Sequence, residues 1–206
     1  MKIISFEGIE GVGKSTQINL LKDYLESKNY LIEIYREPGS TPVGEKIRDI
    51  LLDSNNVLSN ETELLLMFAA RSELIDKKIN TSQCDYLLLD RFYDASMAYQ
   101  GYGRKLSKDF ITSLTSFINC PIPDLSFLLD ISVKEGFQRK NSDVKDRIES
   151  SSNDFFNKVR KGYKTIAKAN KNRFEIINAA NDIDKIHQII IKKLQSKKWI
   201  YITYIG

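Results

Sequence analysis

At 206 residues, with 42% hydrophobic and 28% charged side chains, the chain has the size and balance of one soluble globular domain. A net charge of +4 with dispersed basic residues gives no reason to expect a nucleic-acid partner; a basic cleft for small anions explains it equally well. The single His187 makes a His-based triad or His metal site unattractive, and Cys84 and Cys120 lack metal-ligand spacing and read as reduced thiols of a cytosolic protein. The N-terminus runs straight into a strand pattern, so no signal peptide is expected, and no apolar stretch has the length to cross a bilayer.

In chain order, Lys2 to Phe6 is a short apolar run that reads as a buried strand. Gly8 to Ser15 (Gly-Ile-Glu-Gly-Val-Gly-Lys-Ser) follows it, and Thr16 to Ser27 carries apolar residues at helical spacing. Strand, glycine loop and helix are the context that a phosphate-binding loop requires. Its backbone N–H groups cradle phosphate oxygens, Lys14 reaches the outer phosphates, and the Ser15 hydroxyl is placed to ligate Mg²⁺. The chain is therefore expected to bind a nucleoside triphosphate through Gly8, Ile9, Glu10, Gly11, Val12, Gly13, Lys14, Ser15 and Thr16.

Further strands are expected at Tyr30–Tyr35, Tyr86–Asp90, Leu125–Asp130 and Phe174–Asn178. Helical patterns fill the gaps over Val43–Asp53, Asn60–Ile79, Tyr93–Gly101, Ser107–Phe117, Val133–Lys140, Asp154–Asn170 and Ile183–Gln195. Apolar strands alternating with helices indicate an α/β fold with a five-stranded parallel sheet covered on both faces. The chain reads as one domain, with a polar segment at about 139–153 expected as an exposed, mobile lid. The Trp199–Gly206 end has no clear place, and a packed or disordered tail describes it equally well.

Asp90 and Arg91 close the third strand, where ligands of an open α/β sheet bind. Asp90 suits Mg²⁺ held through water, and Arg91 offers a planar fork to phosphate. Phe68 and Arg71 share one side of a helix, and Ser96, Tyr99 and Gln100 share another; together they outline a nucleotide-shaped second pocket. Arg36-Glu37-Pro38-Gly39 forms a rigid turn whose flanking charges a turn alone does not explain. Arg139, Lys140, Lys145 and Arg147 form a basic cluster in or beside the polar segment.

Several stretches are shared with one family. Phe6–Thr16, Arg36–Gly39, Met-Phe-Ala-Ala-Arg at Met67–Arg71, Asp-Arg-Phe with Ala-Tyr-Gln-Gly at Asp90–Gly101, Pro123–Asp130 and Asp-Arg-Ile-Glu at Asp146–Glu149 resemble the bacterial thymidylate kinases, from about Lys2 to Leu194. The combination of Arg-Glu-Pro-Gly with Ala-Tyr-Gln-Gly is far more specific than the phosphate loop. The resemblance implies a phosphate-loop kinase fold and transfer of the γ-phosphoryl of ATP to dTMP with Mg²⁺, in a cytoplasmic homodimer with no nucleic-acid or membrane partner. It implies a dTMP site of Glu37, Pro38, Arg48, Phe68, Arg71, Arg91, Ser96, Tyr99 and Gln100. In it Phe68 stacks on the base, Arg71 donates to O4, Ser96 and Gln100 add base contacts, Tyr99 crowds the 2′ position, and Arg48 and Arg91 hold the acceptor phosphate. It implies catalytic roles for Lys14, Arg91, Arg139 and Arg147, with metal held by Ser15 and Asp90. Glu10 brings no positive charge to the loop, so the lid is expected to supply it. Phe92 stands where the family usually has Tyr. A kinase for another nucleoside monophosphate, or a nucleotide-switch ATPase, is the alternative; a GTPase is disfavoured because no Asn-Lys-x-Asp motif occurs.

Overall fold

The computed structural model describes residues 1–140 and 145–200. Five strands, β1 Lys2–Glu7, β2 Ile32–Arg36, β3 Tyr86–Asp90, β4 Leu125–Asp130 and β5 Phe174–Asn178, form one parallel sheet in the order β2-β3-β1-β4-β5. A parallel sheet needs both faces covered, and the central strands show it: Leu87, Leu88 and Leu89 are all fully buried. Ile3, Leu87 and Leu89 pack under Leu74, Ile75 and Ile79 on one face. Ile4, Phe6, Leu88 and Phe127 join the larger core with Ile18, Leu21, Ile186 and Ile190. Alternation along the strand sends successive residues to opposite layers.

The helices are α1 Lys14–Glu26, α2 Pro42–Leu52, α3 Asn60–Leu74, α4 Tyr93–Ser96, α5 Lys108–Phe117, α6 Val133–Arg139, α7 Asn153–Ala169 and α8 Ile183–Ser196. Side-chain oxygens of Thr41, Ser59, Ser107, Ser132, Ser152 and Asp182 accept first-turn backbone N–H groups and set the starts of α2, α3, α5, α6, α7 and α8.

Two expected helices are not α-helical throughout. After α3 the chain widens to π geometry over Ile75–Ile79, and after α4 over Met97–Gly103. Such wider turns recur at functional sites, and the second carries Tyr99 and Gln100. Strand β2 starts at Ile32 rather than Tyr30, because the Leu31 N–H is taken by the Asp85 carboxylate at 2.8 Å and the Tyr30 ring lies edge-on against Tyr86.

The segment expected as an exposed loop is packed down in part, with Lys145, Ser150, Ser152 and Asn153 exposed. Ile148 and Glu149 are buried, the Arg147 N–H donates to Leu52 O at 3.0 Å, and its guanidinium reaches α3. Buried acceptors on α3 and at the end of α2 account for this. The rest of that segment, residues 141–144, lies outside the described residues, as do 201–206 of the tail. Ile200 is buried, the Tyr86 hydroxyl donates to Trp199 O at 2.6 Å, and Lys2 Nζ sits 5.0 Å from the indole, so the first part of the tail packs on the domain. His187 is a packing residue, set edge-on against Tyr24, and burial holds its pKa below the ordinary value.

Behind the site, Arg173 ahead of β5 donates to both oxygens of Asp94 in α4, at 2.8 and 2.9 Å, and to Ser126 at 3.1 Å. Both charges are buried. Removing one partner of such a pair leaves an uncompensated charge and costs ~3–5 kcal/mol, whereas replacing both by apolar groups is often neutral. Asp94→Ala is therefore expected to lower the urea midpoint strongly, and Asp94→Ala with Arg173→Met to recover most of the loss. A double variant no more stable than the single one would contradict this account.

Candidate active site

The carboxyl ends of β1, β2 and β3 open into a cavity of about 290 Å³. Four loops and helix ends contribute: Glu10, Gly11, Lys14 and Ser15 after β1; Arg36, Glu37 and Pro38 after β2; Asp90 and Arg91 after β3; Ser96, Tyr99 and Gln100 from α4 and its π extension. A parallel sheet brings these strand ends together, although they are far apart in sequence.

The phosphate loop depends on glycine at Gly11. Its φ is +72°, and a Cβ there would lie 1.8 Å from Gly136 O in α6. Any side chain would push α6 off the loop. At the loop's end the Lys14 ammonium donates to Ile9 O at 3.1 Å and Gly8 O at 3.5 Å. Burial, and then the nearby Arg91, push its pKa down to about 8. The first residues of α1 put the Ser15 hydroxyl 3.0 Å from Asp90 Oδ2, so a hydroxyl and a carboxylate converge beside the loop. Oxygen donors in this pairing fit Mg²⁺, which keeps several waters and takes few protein ligands.

Arg91 sits in the left-handed region with φ +69°, which turns its side chain back over the loop. Nη1 donates to Gly8 O at 2.6 Å and to the Tyr163 hydroxyl at 3.2 Å, and Nη2 to Glu10 Oε1 at 2.9 Å. The Tyr99 hydroxyl donates to the same Glu10 oxygen at 2.8 Å, and its ring lies 4.9 Å under the guanidinium. Below them Glu7 accepts the Phe92 N–H at 2.9 Å. Its other oxygen is buried with no partner among the described residues, and burial, then Asp94, push its carboxyl up to about 8.

Arg71 is buried and donates through Nε and Nη2 to both oxygens of Glu37, at 2.7–3.0 Å. Its Nη1 is a buried donor without a partner among the described residues, on a residue that lines the cavity. Arg48 donates to Pro38 O at 2.8 Å, across the turn whose Glu37–Pro38 peptide is cis.

The structure thus brings Glu10, Gly11, Lys14, Ser15, Glu37, Pro38, Arg48, Arg71, Asp90, Arg91, Ser96, Tyr99 and Gln100 to one cavity. Ile9 and Val12 are buried behind the loop, and Thr16 is exposed on α1. Phe68 does not reach the lining. It is buried with Leu64 and Ile111, its ring 4.7 Å from the Arg71 guanidinium, and Met67 lines the cavity from the same turn of α3. Of the lid cations, Lys140 lines the cavity and pairs with Glu149. Arg139 donates to Ala179 O at 2.7 Å, Arg147 to Leu51 O and to Glu63 at 2.8 Å each, and Lys145 lies 5.6 Å from the Phe137 ring.

The chain matches the family described as Thymidylate kinase over residues 6–190. The chain belongs to the thymidylate kinase family. It is 43% identical over 193 residues to the thymidylate kinase of Thermoanaerobacter sp. (strain X514), covering 92% of this chain and 95% of that one. It is 40% identical over 207 residues to that of Chlorobaculum tepidum, covering 94% and 97%. Its fold is similar to the crystal structure of thymidylate kinase from Ehrlichia chaffeensis, with a TM-score of 0.77, 34% identity, and 94% and 98% of the two chains covered. The all-parallel five-stranded sheet is that of this family of nucleoside-monophosphate kinases.

Glu63 and Arg104, which no motif marks, stand beside the cavity, and Asp146 and Glu149, the ends of the Asp-Arg-Ile-Glu stretch, line it. Glu63 leaves a faint trace in the sequence. It shares the buried stripe of α3 with Ala70 and Leu74, where a carboxylate is out of place unless it has partners.

Two outcomes follow from this geometry. Lys14→Ala removes the point charge at the loop and should abolish turnover while leaving the thermal midpoint near wild type, since an already desolvated cation contributes little to stability; a coupled ADP-release assay and a melting curve check the two. Glu7 has a folded-state pKa raised from 4.5 to about 8, so it contributes stability that is full below pH 4.5 and is lost as pH rises through about 8. Urea midpoints at pH 5 and pH 8.5 should fall between the two for wild type and fall less for Glu7→Gln. Parallel pH profiles for the two proteins would exclude Glu7 as the titrating group.

Proposed function

We propose that the chain transfers the γ-phosphoryl of ATP to the 5′-phosphate of dTMP, giving ADP and dTDP for dTTP synthesis. The observation that carries this reading is a single cavity lined at one side by a phosphate loop and at the other by Arg71, Ser96 and Gln100, a base-sized polar pocket. A nucleotide switch has no use for the second pocket.

In this mechanism an acceptor phosphate oxygen forms a bond to the γ-phosphorus while the bond to the β–γ bridging oxygen breaks. Lys14 neutralises the outer phosphates of ATP, and Arg91 and Arg48 orient the acceptor phosphate. Mg²⁺, bound near Ser15 and Asp90, would neutralise charge on the β and γ oxygens. Lys140, Arg139 and Arg147 are the lid cations of the proposal. The two arginines reach the transferring group only by leaving Ala179 O and Glu63. Such transfer asks for positioning and charge neutralisation rather than covalent chemistry.

A homodimer is part of the reading. Val43 and Ile50 on α2, Leu65 on α3, and Phe110 and Phe117 on α5 stay exposed on the single chain; the α2 and α5 pairs each lie seven residues apart on one face. A cytoplasmic location is consistent with the described helices, none of which is long and apolar enough to cross a membrane.

Coupled ADP release with a panel of monophosphates tests the acceptor. dTMP should be preferred strongly over dCMP, AMP and GMP, because a mismatched buried polar site can cost a factor of ~10⁴. Turnover of AMP or GMP equal to that of dTMP would leave a kinase of another specificity. For the lid, Arg139→Ala or Arg147→Ala should lower kcat by ~10³ with little change in dTMP affinity. Wild-type kcat in both would move the neutralising charge to Lys140 and the loop.

A further inference from the structure

Glu63 lies in the first turn of α3 and is buried at 1% exposure, yet it touches neither the phosphate loop nor the cavity surface. Its oxygens collect donors from two other elements. Gln100 Nε2 donates to Oε1 at 2.9 Å, Arg104 donates to the two oxygens at 3.2 and 3.1 Å, and Arg147 donates to Oε2 at 2.8 Å. Burial would raise its carboxyl pKa, but the hydrogen bonds of Arg104 and Gln100 over-compensate and hold it below the ordinary value. Glu63 is therefore ionised and can only accept.

That restriction fixes a neighbour. A side-chain amide offers a donor at one end and an acceptor at the other. An ionised carboxylate takes the nitrogen of Gln100, so the oxygen is the end turned from Glu63 and left to the cavity that Gln100 lines. In the same lining, Glu37 occupies Nε and Nη2 of Arg71 and leaves Nη1 a donor with no partner among the described residues. Gln100 and Arg71, both in the cavity lining, thus leave one acceptor and one donor free of the carboxylates that hold them. A thymine or uracil imide presents the complement, N3–H beside the O4 oxygen. Cytosine presents the reverse, an unprotonated N3 beside an amino group.

We infer that Glu63 is a specificity-determining positioning residue, which selects imide bases over cytosine by holding the Gln100 amide with its oxygen toward the acceptor base. This rests on the proposed function, in which the pocket takes a pyrimidine monophosphate. In Glu63→Gln, Arg104 and Arg147 claim the single remaining oxygen. The new amide nitrogen then faces Gln100, whose own amide turns round and presents N–H groups to the base. In Glu63→Asp, the charge stays for both arginines, but the carboxylate withdraws by one methylene from Gln100.

The test is steady-state kcat and KM for dTMP, dUMP and dCMP, with melting curves, for wild type, Glu63→Gln, Glu63→Asp and Arg147→Met. The dTMP-to-dCMP ratio of kcat/KM should fall at least about tenfold in both Glu63 variants, mainly through the KM for dTMP. The dTMP-to-dUMP ratio should stay constant, since both bases are imides. Arg147→Met should lower kcat for all three acceptors alike and leave the ratios unchanged. A folded Glu63→Gln with the wild-type dTMP-to-dCMP ratio overturns the inference. So does an equal loss of selectivity in Arg147→Met, and so does loss of fold in both Glu63 variants, which would mark the residue as structural. Wild-type enzyme that phosphorylates dCMP as well as dTMP would instead sink the proposed function.

Discussion

The contact on which the site depends is the Arg91 guanidinium laid back across the phosphate loop. It leaves the end of β3 with a left-handed backbone and grips Gly8 O and Glu10 at the end of β1. Two adjacent strand ends are thereby tied by charge-assisted hydrogen bonds as well as by the sheet ladder. The same guanidinium covers the Tyr99 ring, so the π-helical stretch after α4 is docked to the loop through one side chain. Glu7 holds the next residue's N–H and keeps the turn from relaxing. Phosphate loop, acceptor pocket and sheet therefore share a reference point.

Buried carboxylates recur around that point, and each is tied to a different job. Glu37 takes two nitrogens of Arg71, Glu63 gathers Gln100, Arg104 and Arg147, and Asp94 holds Arg173. A buried ion pair is weak evidence for stability, because desolvation offsets the Coulomb attraction. Its consequence here is geometric. A carboxylate that can only accept dictates which nitrogen of its partner is used and which is left over, and the leftovers, Arg71 Nη1 and the Gln100 oxygen, belong to residues that line the cavity. Glycine does the corresponding work for the backbone, since the Gly11–Gly136 approach lets α6 sit directly on the loop.

The sequence by itself determined the elements whose signals are local. Apolar runs such as Leu87–Leu89 and caps such as Ser59 and Ser152 follow from nearest neighbours, and strand–loop–helix around Gly8–Ser15 carries its own meaning. Five strands and the layered α/β plan were legible because a parallel sheet buried on both faces writes near-continuous hydrophobicity into each strand. Thirteen of the site residues expected from sequence meet in one cavity, since the motifs lie at strand ends that parallel pairing must gather.

Tertiary structure decided what depends on partners distant in the chain. The wide turns at Ile75–Ile79 and Met97–Gly103 are invisible to a 3.6-residue periodicity, and packing selects them. The family resemblance makes Phe68 a stacking ring; the fold sets it beside Arg71 and buries it with Leu64 and Ile111. Arg147 reads as a lid cation until Glu63, 84 positions away, supplies a buried carboxylate that it shares with Arg104 and Gln100. Charge type is local information. Which opposite charge it meets, and therefore which of its atoms remains to face a substrate, is set only when the chain has closed on itself.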